Sequence, residues 1–474
     1  MLRNLAIFTV LAATSLAQAN GRAPGTSTIN FRRGHEQQIA AGLTFGLLVS
    51  NDSGGTWQWM CEKAVLYGGL FDPDYAYSTS GALFATTFEG SLVNRDGCTF
   101  APTPFGKKFF SAITEAPNGT LYFAASDAED TAAGNPGDAK IYKSTDGGLT
   151  FTSATAGILG DWYNSIEVAP SDPTRIYISG YRLPGGVAQF QMYRSDDAGA
   201  TYQAINASQF TTSNNSRIDI VGIKANQPNT VFARVSLQTG SIGDAIWRST
   251  DGGVTWGTAP IFQKGDEIAF VARANGDLVA ATRNSGTFVS KGPNNTTWEQ
   301  VANAPHINCL SENSAGELWA CTQNFGAMQT PSDGAGIMKT TDLTTWVKVL
   351  RYQDIQAPVD CPAGTRQHDQ CVYDCPDPTY NANPASCPNL TPSSWCTLVN
   401  QLGITSTVIA CPAVFDEPPA AGDTTKKPSP GCCDAGDSSG GPAALALSLA
   451  IGTVILRSRR RKPKRGSTDA PIVR

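Results

Sequence analysis

Histidine is almost missing from this chain. Only His35, His306 and His368 occur in 474 residues, and no Cys/His pair has the spacing of a zinc site. No metal site and no cofactor is therefore expected. The local signatures of common enzymes are missing too. There is no Gly-x-Ser-x-Gly, no His-Glu-x-x-His and no phosphate-binding loop, so the usual serine hydrolase, zinc protease and nucleotide chemistries have no anchor. Surplus basic charge is also lacking. The net charge is −5, and it falls further if the two ends are removed as argued below. An acidic surface argues against nucleic acid or anionic lipid as a partner.

What the chain has in abundance is one short turn. Four clear copies are Ser50 to Trp57, Ser144 to Phe151, Ser195 to Tyr202 and Ser249 to Trp256. Three worn ones are Asn94 to Phe100, Ser290 to Trp298 and Thr340 to Trp346. They recur about every 40–55 residues, and a period of that length marks a repeat fold, here a β-propeller. Between the turns lie four short β-branched and aromatic strands per unit, bounded by turn residues such as Asn118-Gly119. The expectation is an all-β, seven-bladed propeller over residues 20–352. Residues 29–60 read as the first blade, with 26–31 as a possible outer strand for blade seven.

The turn, Ser-x-Asp-x-Gly-x-Thr-aromatic in its clear copies, resembles the Asp-box (BNR repeat), which in its families joins the third and fourth strands of a blade. A carboxylate there can accept the backbone N–H groups that follow it. Asp52, Asp96, Asp146, Asp197, Asp251 and Asp342 are therefore read as structural. Calcium is disfavoured, because each turn lacks the several oxygen ligands that ion takes. The closing aromatics, Trp57, Phe151, Tyr202, Trp256, Trp298 and Trp346, should pack between sheets.

Both ends carry addresses. Residues 1–19 combine Arg3, an apolar stretch and Ala17-Gln18-Ala19, the three parts of a secretory signal peptide. Residues 416–441 form an extended linker ending in Gly431-Cys432-Cys433 and a Gly/Ser/Asp stretch. An apolar run at 442–456 is the expected transmembrane segment, and the Arg-rich 457–474 the cytoplasmic tail. That order resembles the MYXO-CTERM sorting signal. The resemblance implies transient insertion through 442–456, cleavage near Cys432 or Cys433 by a sorting protease, and a cell-surface or secreted product. Losing Arg3 with the leader, and eight Lys/Arg against three Asp/Glu with the tail, would leave about −11.

Cysteine use fits export. Twelve cysteines in a secreted chain read as disulfides. Cys61 and Cys98 suggest a staple between blades one and two, and Cys309 and Cys321 flank one turn of blade seven. Cys361, Cys371, Cys375, Cys387, Cys396 and Cys411 mark residues 353–415 as a Cys-rich module held by disulfides rather than by a core. A Cys-rich module after an Asp-box propeller also resembles the architecture of sortilin-type receptors.

A propeller of this kind binds on the face opposite its repeated turns. Loops there bring Lys108, Asp161, Trp162, Tyr163, Tyr181, Arg182, Arg217, Glu267, Arg283 and His306, a mixed charged and aromatic set suited to a polar ligand. Among Asp-box families, sialidases carry Phe-Arg-Ile-Pro before the first turn, whereas this chain has Phe31-Arg32-Arg33-Gly34. Arg182, Arg217 and Arg283 would be its arginine triad. Xyloglucan-cleaving glycosidases pair two propellers, whereas here there is one. Asp72, Asp161, Asp219 and Glu267 are the carboxylates available to inverting chemistry, which needs two about 6.5–9.5 Å apart. Photosystem assembly factors show the same repeat acting as a docking platform. The reading is a non-catalytic surface protein that binds a glycan or protein ligand, with a glycoside hydrolase as the alternative.

Overall fold

In the computed structural model, residues 23–411 are described apart from 69–71, 88–89, 107, 128–136, 155–160, 183–188, 211–214, 238–242, 293, 327–329, 374–393, 406–408 and 410. The expected signal peptide at 1–19, the linker, the apolar run, the basic tail, Cys375, Cys387, Cys432 and Cys433 lie outside the described residues. No described helix is long and apolar enough to cross a membrane.

Seven antiparallel sheets follow one another along the chain, each with its strands in sequence order. Blade three shows the plan: Phe110–Glu115, Leu121–Ala125, Lys140–Ser144 and Thr152–Ala154. The first strands of successive blades touch one another all the way round, including blade seven against blade one. They form the inner ring of a seven-bladed propeller. The second strands are buried on both faces, which is why they read as unbroken apolar runs: Ile39–Leu43, Leu121–Ala125 and Leu278–Thr282 have no exposed residue.

The repeated turn lies between third and fourth strands in every blade. In blade five, Ser249 Oγ donates to Asp251 Oδ1 at 2.7 Å and accepts from Gly253 N at 2.8 Å. Thr255 donates its backbone N–H to Oδ1 at 2.9 Å and its hydroxyl to Oδ2 at 2.6 Å. The same four bonds recur at Asp52, Asp146 and Asp197. Asp96 and Asp342 keep the backbone part, each accepting two N–H groups at 2.8 Å. Blade six has no aspartate here. Asn295 takes its place, donating to Ser290 O and accepting from Lys224 Nζ, both at 2.9 Å.

These turns also seal the joints. Gly148 has φ 79°, and a Cβ there would collide with the Phe84 ring of blade two. Gly253, at φ 86°, meets Ile205 of blade four in the same way. Each closing aromatic enters the apolar cluster shared with the preceding blade: Trp57, Phe151, Tyr202, Trp256 and Trp298 do so, as does Trp346.

Ring closure departs from expectation. Residues 26–31 do not join blade seven. Thr26–Phe31 pairs with Ile39–Leu43 and is the inner strand of blade one. Blade one is instead extended outward by Ala357–Pro358, which runs parallel to Gln58–Met60. The disulfides follow from that. Cys61 and Cys98 do not pair with each other; Cys61 bonds Cys371 and Cys98 bonds Cys361. Cys309–Cys321 forms as expected, and Cys396 bonds Cys411. The segment after blade seven also has more core than its composition implied. Trp395, Leu398, Leu402 and Ile404 are buried in one cluster with Trp57 and Trp59 of blade one and Trp319 of blade seven.

Candidate functional site

The face opposite the repeated turns is built from the starts of the inner strands and the loops between second and third strands. Trp162 is the first residue of the inner strand Trp162–Ala169. It lies directly across the ladder from Tyr181, near the end of Asp172–Arg182. Phe109 precedes the inner strand of blade three and stacks on Trp162 at 5.2 Å and 27°. Trp162 stacks on Tyr181 at 6.3 Å and 25°. The three half-buried rings form a row across blades three and four. Tyr163 is not part of it: successive strand residues alternate in direction, and Tyr163 is fully buried in the cluster between these blades.

Most charged groups of this face are already paired. Asp161 has no exposed surface. The Arg182 Nε donates to its Oδ1, and Arg182 Nη2 donates to the Tyr193 hydroxyl at 3.1 Å. Burial raises the Asp161 pKa, and the bond from Arg182 opposes it. In blade three, Lys108 and Lys140 hold one carboxylate, Asp138, at 2.5 and 2.7 Å. Their two bonds keep that carboxyl below its ordinary range. His306 Nδ1 lies 2.9 Å from Asp333 Oδ1, and Asp333 also accepts Gln323 N at 2.8 Å. That aspartate ties His306 to the loop of blade seven. Arg283 and Asp266 are exposed and only 4.0 Å apart.

Blades five and six share the largest network. Arg217 Nε donates to Asp219 Oδ1 at 2.7 Å, and Arg234 Nη2 donates to Asp219 Oδ2 at 2.6 Å. Arg234 Nη1 reaches Glu267 Oε2 at 3.4 Å. Glu267 is 3% exposed, and its Oε1 has no hydrogen-bond partner. Burial pushes its pKa up to about 7, with the Arg234 charge opposing. The arginines considered as a triad do not act together. Arg182, Arg217 and Arg283 each serve a different carboxylate, Asp161, Asp219 and Asp266.

Four groups of this face were missed in the sequence: Arg234, Asp138, Asp333 and Tyr193. Arg234 had a signal, since it is the one charge inside Val231–Leu237, a run that otherwise reads as a buried second strand. Asp138 and Asp333 sit in loops without pattern, and Tyr193 lies inside the strand Gln189–Ser195 like any other strand aromatic. Among the described residues no group of three or more His, Cys, Asp or Glu is placed to hold a metal ion. A cavity of about 380 Å³ lies at the opposite end, lined by Lys224, Asn226, Gln227 and Asn275.

No protein-family profile matches the chain, and no curated protein matches it in sequence. Solved structures match parts of it. An ancestral GH74 enzyme is 14% identical over 70% of this chain and 47% of its own, with a TM-score of 0.46. The extracellular domain of a B. thetaiotaomicron protein described as a one-component system is 13% identical over 63% and 37%, with a TM-score of 0.44. A streptogramin B lyase is 12% identical over 62% and 90%, with a TM-score of 0.42. The chain thus spans less than half of the first two. At such identities no activity passes from them to this chain.

Proposed function

We propose that this chain is an exported Asp-box propeller that binds a glycan, or failing that a protein, through its loop face without catalysis. One observation carries the reading. The face offers a row of aromatic rings, Phe109, Trp162 and Tyr181, whereas Asp161 and Asp219 are each tied to arginine. Aromatic rows suit the apolar C–H faces of sugar rings, and a neutralised carboxylate is a poor general base. Four disulfides among the described residues support an oxidising compartment. The signal peptide at 1–19 and the MYXO-CTERM-like tail at 431–474 support display at the cell surface. The linker at 416–441 then acts as stalk, while the Cys-rich segment is held against the propeller.

A second reading has one specific support. Glu267 is buried, carries an unpartnered oxygen and is pushed up to about 7, which are the properties of a general acid. Glycoside hydrolysis is therefore the alternative. The deciding experiment is a glycan-array screen of the protein, with released sugar assayed on every bound glycan. Retention without turnover supports the binding reading. Turnover that disappears in Glu267→Gln replaces it with the hydrolase.

A further inference from the structure

The aromatic row ends beside a guanidinium. Tyr181 packs against the cluster that holds Ile218, the strand neighbour of Arg217, and the Arg217 charge opposes the rise that burial imposes on its hydroxyl. Arg217 is the outermost member of its network, with a side chain 51% exposed against 5% for Asp219. Its orientation is fixed from behind. The Nε bond to Asp219 anchors it, and Arg234 holds the other oxygen of the same carboxylate. Among the described residues neither Nη atom of Arg217 has a hydrogen bond, so the fork faces outward while its base is clamped. A guanidinium so held matches a carboxylate with two parallel bonds. Two guanidinium groups share Asp219, and the other acids beside Arg234 are Glu267 and Asp244.

We infer that the Tyr181 end of the row is a subsite for an acidic sugar, whose ring packs on Trp162 and Tyr181 while its carboxylate takes the Arg217 fork. This deepens the glycan-binding reading and rests on it. A sugar acid offers both surfaces at once, an apolar C–H face and a carboxylate at the ring edge.

The test uses the full chain on an array of uronate- and sialate-bearing glycans, each beside its methyl ester, which keeps the shape and removes the charge. The expected result is at least tenfold tighter binding of some acids than of their esters at low salt, with the preference shrinking as salt rises. Arg217→Gln should abolish that preference and leave ester binding in place, and Arg217→Lys should restore only part of it. Thermal melts of both variants check that the fold survives. Equal binding of acids and esters, or a preference untouched in Arg217→Gln, overturns the inference and leaves the glycan reading standing. Retention of no glycan at all overturns both.

Discussion

The two ends of this propeller are built on opposite rules. At one end the same serine, aspartate and threonine make the same four bonds in four blades, with partial copies in two more. At the other, blades three to seven solve their charge differently: two lysines on one aspartate in blade three, a buried aspartate under an arginine in blade four, a four-member chain across blades five and six, a histidine on an aspartate in blade seven. Repetition marks what each blade needs in order to seal against its neighbour. Variety marks what no blade needs for folding. Individual carboxylates of the two ends differ in sign as well. Hydrogen bonds from Thr150 and Thr201 hold Asp146 and Asp197 below the ordinary carboxylate range, whereas burial raises Asp161 and Glu267 above it.

The comparison breaks most completely if the ring opens, since both ends depend on it. The two bridges span 310 and 263 residues of chain. Replacing Cys61, Cys371, Cys98 and Cys361 together by serine should cost about 4–5 kcal/mol, read by urea unfolding. Removing either pair alone should cost much less, because the other keeps the same ends together. Single losses that add up to the double loss would mean that the bridges do not close one loop.

Next in size is a change confined to the turn end. Asp251→Ala removes the acceptor of three bonds, from Ser249 and twice from Thr255. It should cost about 2 kcal/mol, the range for hydrogen bonds to a charged group. Retention of glycans on the array should not change. A loss of binding as large as the loss of stability would join ends that are held here to be separate.

A pH series sharpens the contrast further. A lowered folded pKa, as at Asp197, gives stability that is present above the unfolded carboxylate value near 4 and lost as pH falls through the folded one. A raised one, as at Glu267, acts in reverse. Its folded form binds protons more tightly, so stability falls as pH rises from the unfolded value near 4.3 to about 7. Glu267→Gln should remove that decline and stabilise the protein at pH 8 by on the order of 1–2 kcal/mol. A melting profile that still declines between pH 5 and 8 would point to another group. The smallest effect belongs to Ala198, which holds φ 56° at a turn position where Gly147 and Gly252 occur in other blades. Ala198→Gly should gain about 0.5 kcal/mol by relieving a left-handed residue, visible as a small rise in Tm.

The sequence by itself determined the number of blades and the place of each repeated turn, and it carried, unread, the apolar runs of the buried second strands. Those signals are local. A turn of eight residues carries its own bonds, and a strand buried on both faces carries its own run of Ile, Leu, Val and Ala. One odd charge, Arg234, lies inside such a run, but its role was not read from it. Only the tertiary structure decided how the ring closes, which cysteines meet, and that Tyr163 is core while Trp162 beside it is surface. It alone joined Arg217, Asp219, Arg234 and Glu267 into one chain, from three strands of two blades. None of these follows from neighbours along the chain. Each depends on bringing together groups tens to hundreds of residues apart, and that distance is set by how seven blades pack around a common axis.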